Sequence, residues 1–337
     1  MKKYLEGKVA VVTGSGQGVG RAIAMALAEQ GASVVTNNRR PGHNIDSQLD
    51  EAKLAKLTEE QRIWVKEEFE RYGGDAERTA AAIREKGGKA VACFADITDY
   101  DEAGKLIQTA VDNFGGVDIL VNVAGGFGFS PFEKMEPSLF EKVNSVKPKG
   151  YFNTCRHAVP HMLAKGWGRI INCTSRAWLG DIIRHAEYCT ANAGAVGLTR
   201  ALAVEYWGKG ITANAFSPFA RTRASVDLSM YDKTVDAADR AWAGPTPPPA
   251  TGGTPLPEEL TAFICYLCTE AAGKVSGSVF SLAGNRIGLY SDPIIKREVS
   301  KAPGENWSVE ELVEKADEML FDDYQSVVDF YIPDRAK

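Results

Sequence analysis

A cluster of glycines near the N-terminus constrains the fold of this chain more than any other sequence feature. Residues 9–13 form a short β-branched run, and the segment Thr13-Gly-Ser-Gly-Gln-Gly-Val-Gly-Arg21 follows it directly. Residues 22–30 then show helical periodicity, and residues 32–36 have the pattern of a second strand. Glycines permit a tight turn here, and the first N–H groups of the following helix can bind an anion. The segment therefore predicts a parallel βαβ unit with a phosphate-binding turn.

The same alternation of strand and helix patterns continues along the chain. Further strand patterns cover residues 89–94, 118–122, 169–173, 211–216 and 279–282, and helical patterns cover 76–86, 101–114, 150–164, 187–207 and 257–269. Alternating units of this kind predict an α/β fold with a Rossmann-type, doubly wound parallel sheet covered by helices on both faces. We expect one such domain over residues 1–286.

Three segments interrupt this alternation. Residues 41–74 form a charged insertion, in which a helix at 59–72 is expected to turn Ile63, Trp64 and Phe69 to one side. Residues 225–256, which end in a proline-rich, helix-free stretch, are expected to form a lid over a substrate cleft. Residues 287–337 form a C-terminal extension with a helix at 309–321, opened by Ser308 and by Glu311 three positions later. The extension is expected to pack on the domain or on an oligomer interface.

Composition excludes several classes of protein. The 337 residues carry a net charge of −5 and contain no long basic run, which argues against a nucleic-acid-binding protein. No apolar run approaches the length that spans a membrane, and the first residues lack a signal-peptide pattern, so we expect a cytoplasmic protein. Cys265 and Cys268 lie on an apolar helical stripe without a second ligand pair, so no metal site is predicted.

Several motifs together carry a resemblance to the short-chain dehydrogenase/reductase family over roughly residues 5–285. They are the TGxxxGxG spacing of residues 13–20, Asp96-Ile-Thr-Asp99 after the third strand, Asn122-Val-Ala-Gly125 after the fourth, and Pro218 after the sixth, where Phe219 replaces a glycine. Ser217-Pro-Phe-Ala-Arg-Thr-Arg223 and Leu282-Ala-Gly-Asn-Arg-Ile-Gly288 are also similar to segments of hydroxyacyl-CoA dehydrogenase units in multifunctional β-oxidation enzymes. The resemblance implies a nicotinamide cofactor and an oxidoreductase.

The resemblance also implies which residues contact the cofactor. They are Gly14, Ser15, Gln17, Gly18, Val19 and Gly20 in the glycine-rich turn, Asn38, Arg39 and Arg40 after the second strand, Asp96 and Ile97, Asn122, Ala124 and Gly125, Tyr188 and Asn192, and Pro218 and Thr222.

The residues after the second strand bear on the choice between the two nicotinamide cofactors. An acidic residue there would bind the 2′-hydroxyl of NAD(H) and repel the 2′-phosphate of NADP(H). This chain has Asn38 at that position, followed by Arg39 and Arg40, which could pair with a phosphate. The arginines could also simply begin the charged insertion, and Gln17 stands where NADP-dependent members often have a basic residue. We expect NADP(H) in preference to NAD(H).

The catalytic pattern of the family is present with one departure. Ser175 follows a strand and Tyr188 lies thirteen positions later, which matches the residues that polarise the carbonyl and transfer the proton in this family. The family then has a lysine four positions after the tyrosine, where its charge lowers the tyrosine pKa. Here that position holds Asn192, which can bond a ribose hydroxyl but carries no charge.

A lysine on the preceding helix offers a replacement. Gly150 and Phe152 fix the register with the family pattern, so that Lys147 stands where the family has a catalytic asparagine. The two residue types are therefore exchanged between positions 147 and 192, and our leading hypothesis is that Lys147 supplies the missing charge. Two alternatives remain open: a catalytically impaired subunit that acts with an active homologous partner, or an enzyme assisted by Arg176, Arg184 or His185.

The sequence constrains the substrate less than it constrains the chemistry of the reaction. Aromatic residues that could line a cleft suggest a bulky apolar, alicyclic, steroidal or acyl-CoA-type alcohol or ketone, although ordinary core packing explains them equally well; they are Phe127, Phe129, Trp178, Phe219 and Trp242. Arg176, Arg184, Arg221 and Arg223 could contact a CoA phosphate. A lyase or epimerase-like reaction on the same fold is a third class of function. By analogy with the family, the helices at 150–164 and 187–207 predict a homodimer or homotetramer.

Overall fold

The computed structural model describes residues 2–42, 49, 51–182, 184–234 and 254–322. Its centre is an eight-stranded sheet in the order β3-β2-β1-β4-β5-β6-β7-β8. The strands are β1 (Val9–Val12), β2 (Ser33–Asn38), β3 (Lys89–Phe94), β4 (Ile119–Asn122), β5 (Gly168–Cys173), β6 (Ile211–Pro218), β7 (Val279–Ala283) and β8 (Arg286–Leu289). All neighbouring pairs from β3 to β7 are parallel, which confirms the predicted doubly wound α/β fold.

Most helices that connect and flank these strands follow the predicted positions, but those at Glu51–Ala55, Pro137–Asn144 and Arg223–Thr234 were not predicted. The helices are α1 (Gly18–Glu29), α2 (Glu51–Ala55), α3 (Glu59–Tyr72), α4 (Ala76–Glu85), α5 (Tyr100–Phe114), α6 (Pro137–Asn144), α7 (Tyr151–Lys165), α8 (Ala186–Glu205), α9 (Arg223–Thr234), α10 (Thr261–Leu267) and α11 (Val309–Leu320). The pattern at 257–269 predicted one helix, but only α10 is α-helical, because a 3₁₀ turn at Pro257–Leu260 precedes it.

The core consists of two apolar layers, one on each face of the sheet. Successive side chains of a strand point to opposite faces, and β1 shows this directly. Ala10 and Val12 pack with α1 and α10 on one face, and Val9 and Val11 pack with α5 and α7 on the other. This arrangement places the carboxyl ends of β1, β4, β5 and β6 along one edge, where ligands bind in open α/β sheets.

One strand lies outside the sequence prediction. Arg286–Leu289 forms β8, which pairs antiparallel with β7, and Gly284 takes a φ of 61° in the turn between them. All four β8 residues are exposed, so the sequence shows no alternating apolar pattern that would predict this strand. Because β8 belongs to the sheet, the first of the two compact units of the chain runs to Tyr290.

The insertion packs on the start of the segment predicted as a lid. Leu57 and Val65, near and within α3, bury apolar surface against Val226 and Met230 of α9. Trp64 and Phe69 join this cluster as predicted, but the prediction for Ile63 was wrong, because its side chain is 54% exposed. The buried stripe of α3 instead contains Val65 and Glu68, which shifts the inward face around the helix. The remaining part of the predicted lid, residues 235–253, lies outside the described residues.

The second compact unit spans residues 291–337 and contains α11. Ser308 accepts a hydrogen bond from Glu311 N at 3.1 Å, and the Glu311 carboxylate accepts one from Ser308 N at 3.0 Å, which confirms the predicted capping box. Within the described ranges, no helix combines the length and apolarity that crossing a bilayer requires.

Candidate active site

The glycine-rich turn is fixed to its surroundings by short polar contacts. Thr13 Oγ1 accepts hydrogen bonds from the backbone N–H groups of Val123 and Ala124, which joins the loops after β1 and β4. Ser15 Oγ donates to Val12 O and accepts from Asn37 N, both at 2.8 Å. These bonds hold two loop backbones together at the carboxyl edge of the sheet.

Glycine is required at two positions of this turn. A Cβ on Gly20 would lie 2.4 Å from Gly14 O, and one on Gly14 would lie 2.8 Å from the Ala124 backbone. Gly14 and Gly18 also take φ values of 64° and 53°. No side chain caps the start of α1, so its first N–H groups are available to an anion.

The residues after β2 leave a buried acceptor beside the turn. Asn38 Oδ1 is enclosed and has no hydrogen-bond partner within the described residues, and the same holds for Gln17 Oε1. A Cβ on Gly16 would lie 2.0 Å from Asn38 Oδ1 and 2.6 Å from the Asp75 Cα. Asn38 and the residue before α4 therefore pack directly against the turn and leave no room for a side chain at Gly16. Arg39 is exposed, as is the arginine after it. Unpaired acceptors of this kind fit the hydroxyl groups of an adenosine ribose.

The third and fourth strands contribute mainly scaffolding. Asp96 accepts a hydrogen bond from Thr98 N at 3.0 Å, and Ile97 is buried. The Asn122 side chain is fully buried and bonds Asn172 and Thr154, so it joins β4 to β5 and α7 instead of facing the cleft.

The residues after β6 approach the glycine-rich turn. Pro218 ends this strand, and the Thr222 side chain lies 3.4 Å from where a Cβ on Gly18 would stand. The structure thus brings Thr222 beside the first turn of α1, where Val19 also lies.

The structure brings Ser175, Tyr188 and Asn192 together. Ser175 opens a short 3₁₀ turn after β5, and Tyr188 lies in the first turn of α8. Asn192 Nδ2 donates to the Tyr188 backbone carbonyl at 2.8 Å, which places the amide on the same turn of α8 as the phenol. Burial raises the pKa of Tyr188 to about 12, and hydrogen bonding by the side chains of Ser175 and Asn192 opposes that shift. The resting phenol is therefore protonated at neutral pH and able to donate its proton.

Lys147 reaches the same place from the helical segment before α7. Its backbone is extended, with φ −128° and ψ 127°, as the proline that follows favours. The side chain is 4% exposed, and Nζ donates to Asn192 Oδ1 at 3.4 Å. It also passes Gly125, where a Cβ would lie 2.8 Å from the Lys147 Cε, so a glycine is needed there. Burial lowers the pKa of Lys147, and the neighbouring Cys173 thiol opposes that shift.

Two further residues surround the Tyr188 ring. His185, which the sequence offered only as an alternative assistant, and Glu187, which it did not single out, are both buried beside Tyr188. A glutamate in the first turn of a helix is common because it suits the helix dipole, so no signal set Glu187 apart. Phe127 packs against Tyr188 with ring centroids 6.0 Å apart, and Trp178 packs against Tyr290 at 5.5 Å. Trp242 lies outside the described residues.

A doubly wound sheet with a glycine-rich turn after β1, and with Ser175 and Tyr188 together after β5, defines a Rossmann-type oxidoreductase. The family profile described as short chain dehydrogenase matches residues 8–66 and 69–223. The chain therefore belongs to the short-chain dehydrogenase family, whose members bind NAD(H) or NADP(H).

Individual relatives agree with this assignment. The chain is 31% identical to a hydroxyacyl-CoA dehydrogenase of Mycobacterium tuberculosis over 316 residues, which covers 91% of this chain and 87% of the relative. It is also 31% identical to D-β-hydroxybutyrate dehydrogenase of Cupriavidus necator over 83% of this chain and 98% of the relative. A crystal structure of a short chain dehydrogenase from Mycobacterium avium superposes with a TM-score of 0.72 at 29% identity, covering 96% of this chain and 97% of that one.

Proposed function

We propose that the protein interconverts a secondary alcohol and a ketone with a nicotinamide cofactor, and that Lys147 supplies the charge that the family places at position 192. The single observation that carries this proposal is the contact between Lys147 Nζ and Asn192 Oδ1 at 3.4 Å in a buried setting. Both functional groups of the family pattern are then retained, each on the other's backbone position.

The chain's own residues provide the remaining chemistry. The glycine-rich turn and the start of α1 would hold the cofactor's phosphates, and Asn38 would accept from its ribose. When bound, the cofactor supplies or accepts a hydride. Ser175 donates a hydrogen bond to the substrate oxygen, and Tyr188, with a pKa of about 12, gives its proton to that oxygen during reduction.

Lys147 acts on Tyr188 through Asn192. The ammonium group draws electron density from the Asn192 amide, whose Nδ2 donates to the Tyr188 backbone carbonyl and whose side chain favours the ionised phenol. We propose that this buried positive charge, one residue beyond the amide, stabilises the tyrosinate that forms after proton transfer. Alcohol oxidation, which requires Tyr188 to accept a proton, depends on this charge most strongly.

Removal of the Lys147 charge tests the mechanism. We expect Lys147→Ala to lower kcat by about 100-fold, within the range that a positioned proton-transfer group contributes. The acidic limb of alcohol oxidation, where activity rises as Tyr188 loses its proton, should move to higher pH, because the tyrosinate loses a stabilising charge. Lys149→Ala, two positions away and exposed, is the matched control and should behave as the unaltered enzyme. If Lys147→Ala leaves turnover, cofactor affinity and the pH midpoint unchanged, the hypothesis that Lys147 supplies the charge missing at position 192 is incorrect.

The reverse exchange provides a second arm. Asn192→Lys alone places a second cation beside a buried ammonium, so we expect it to impair activity. Lys147→Asn combined with Asn192→Lys restores the family arrangement and should recover most of the turnover. Cofactor binding by the pure protein without turnover of any ketone, with turnover recovered on adding a homologous partner, would instead indicate a catalytically impaired subunit.

We propose NADP(H) as the preferred cofactor. Asn38 carries no charge that would repel a 2′-phosphate, and Arg39 and Arg40 follow it on the exposed side of the site. Calorimetry with 2′,5′-ADP and with ADP as probes should show tighter binding of the former, by about tenfold. Arg39→Ser combined with Arg40→Ser should abolish this difference, and Asn38→Asp should reverse it. Equal affinity for both probes would contradict the preference.

The proposed substrate is a bulky apolar, alicyclic, steroidal or acyl-CoA-type alcohol or ketone. Phe127 and Phe129 pack edge to face at 5.4 Å beside Tyr188, which gives the site an aromatic wall. The hydroxyacyl-CoA and hydroxybutyrate dehydrogenases among the relatives also favour a hydroxyacyl group. Nicotinamide absorbance with a panel of cyclic ketones and β-ketoacyl-CoA thioesters tests this class, and the absence of turnover with every compound would contradict it.

We also propose that the protein assembles as a homodimer or homotetramer through α7 and α8. Phe152 on α7 is 49% exposed, and Val204 and Trp207 at the end of α8 are 79% and 68% exposed. Large apolar side chains exposed on neighbouring helices are typical of a subunit interface. Light scattering should give a multiple of the 36.5 kDa chain mass, and Val204→Glu combined with Trp207→Glu should yield the monomer.

A further inference from the structure

A buried carboxylate lies directly before Tyr188 and is not used by the proposed mechanism. Glu187 is fully buried, and its Oε1 accepts a hydrogen bond from Gly128 N at 3.0 Å. Its Oε2 is enclosed and has no hydrogen-bond partner within the described residues. A buried carboxylate with an unmet acceptor is costly, so the residue requires an explanation beyond packing.

His185 lies against this carboxylate. Its Nδ1 is 3.5 Å from Glu187 Oε1, and the residue is only 6% exposed. Nδ1 is an enclosed atom that lacks a hydrogen-bond partner in the described part of the chain, whereas Nε2 is not enclosed. A closure of a few tenths of an ångström would let Nδ1–H donate to Glu187, as often happens when a ligand enters a site.

The surroundings of His185 form part of the wall beside Tyr188. The His185 ring packs on Phe129 with centroids 4.5 Å apart, and it lies 6.1 Å from Phe127 and 6.0 Å from Tyr188. Arg184, immediately before it, has a φ of 65°, and its carbonyl accepts a hydrogen bond from Ser130 N at 3.1 Å. A non-glycine residue held in the left-handed region is a common feature of functional sites.

We propose that His185, oriented by Glu187, is a binding residue for a hydroxyl group that the substrate carries away from its reacting carbon. This inference rests on the proposed function, because it assigns a subsite beside the same Tyr188. A carboxylate at Nδ1 fixes the tautomer with the proton on Nδ1 and leaves Nε2 as a hydrogen-bond acceptor. An acceptor nitrogen among Phe129, Phe127 and Tyr188 selects a donor on an otherwise apolar molecule.

The charge of Glu187 narrows the ligand class further. An anionic substituent would lie near a buried carboxylate, which disfavours it strongly at low local dielectric. A carbonyl oxygen has no proton to offer Nε2 of the fixed tautomer. A neutral hydroxyl satisfies the acceptor without either conflict, so the preferred substrates are hydroxylated cyclic ketones and the corresponding diols.

The test compares β-tetralone with its monohydroxy derivatives at each aromatic-ring position, in the full-length enzyme with NADPH. We expect at least one derivative to exceed β-tetralone in kcat/KM by about tenfold, which is the value of one hydrogen bond retained in a buried site. His185→Phe keeps the ring and should reduce this ratio to near one, and His185→Gln should recover part of it. His161→Phe on α7, outside the site, is the matched control and should keep the ratio of the unaltered enzyme.

Glu187→Gln separates orientation from binding. The glutamine can still accept from Gly128 N, so the loop contact is preserved, but it no longer fixes the histidine tautomer. We expect the hydroxyl preference to fall several-fold through KM, with a smaller change in kcat. A purely structural role for Glu187 would instead lower turnover of β-tetralone and its derivatives equally.

Calorimetric titration of the same compounds into the enzyme–NADPH complex makes the result independent of turnover. Selective binding of a hydroxylated derivative that is lost in His185→Phe supports the subsite. Equal affinities, or no binding by any derivative, overturn it. If the enzyme binds the hydroxylated compound selectively but reduces no ketone at all, the proposed reaction fails while the subsite stands.

Discussion

At the scale of single residues, the decisive feature is a buried ammonium group without a carboxylate partner. Within the described residues, Lys147 forms no salt bridge, and its only hydrogen bond is to the neutral amide of Asn192. Such a charge is costly to bury. Its presence fits the proposed role at Tyr188 better than a packing role.

This leads to a prediction about stability. Lys147→Met keeps the length of the side chain but removes the buried charge, so we expect the free energy of unfolding at pH 7 to rise by about 1 kcal/mol or more while turnover falls. Lys149→Met, at an exposed position, should change neither. Chemical denaturation of the three proteins measures the difference, and a less stable Lys147→Met variant would contradict the prediction.

The stability difference between Lys147→Met and the unaltered protein should change with pH in a defined direction. Burial lowers the pKa of Lys147 from its usual 10.5, so between the lowered value and 10.5 the unfolded chain binds more protons than the folded one. Stability of the unaltered protein therefore gains from this group as the pH rises through that window. The advantage of Lys147→Met should shrink towards pH 10, and a constant difference across pH would show that the charge is not its cause.

Sequence spacing predicted the candidate catalytic positions that the structure brings together, but not the residues packed beside them. Ser175, Tyr188, Asn192 and Lys147 could be placed because each has a fixed distance from a strand end or from a glycine. Glu187 could not, because the approach of its Oε1 to His185 Nδ1 at 3.5 Å exists only in the folded chain. Asn122 was expected to contact the cofactor, and that role stays a prediction, although its side chain bonds within the core.

At the scale of elements, the insertion packs on α9, where the segment predicted as a lid begins. The α3 bounds agree with the predicted helix at 59–72, since its capping box begins at Thr58. Which face turns inward was predicted less well, because a strongly charged helix shows a weak apolar stripe. Ion pairs explain why Glu68 lies on the buried face of α3, because its carboxylate bonds Arg221 at 2.9 Å and Arg71 at 2.8 Å.

The Glu68 bridge should hold α9 in place. Glu68→Gln keeps the shape of the side chain but removes the charge that both arginines bond, and we expect a loss of about 1 kcal/mol in this contact. Amide exchange in α3 and α9 should become several-fold faster, and KM should rise more than kcat falls, because α9 begins the predicted lid. Glu67→Gln, on the exposed face of α3, is the matched control. Unchanged exchange in α9 would show that the apolar cluster alone holds it.

At the scale of the whole molecule, the strand order follows from the alternation of elements along the sequence. Buried β-branched runs set the seven parallel strands, and the glycine-rich turn set the position of the site on their carboxyl edge. β8 was not predicted because an exposed edge strand needs no alternation of apolar residues. It needs only a neighbouring strand whose free backbone groups can hydrogen-bond to it. Every described residue of the candidate site falls in the first compact unit, before Tyr290.

Deletion of the second unit tests how much of the molecule the activity requires. The sheet and all four apolar clusters lie within residues 1–290, and α11 has no buried residue, so we expect a chain ending at Tyr290 to unfold cooperatively. Its melting temperature should lie within about 4 °C of the full chain, because the apolar layers on both faces of the sheet are retained. If the extension packs on an oligomer interface, which is one of the two placements expected from the sequence, light scattering should show a smaller assembly with cofactor affinity retained. A truncated chain that loses cooperative unfolding would show that residues 291–337 complete the core of the first unit.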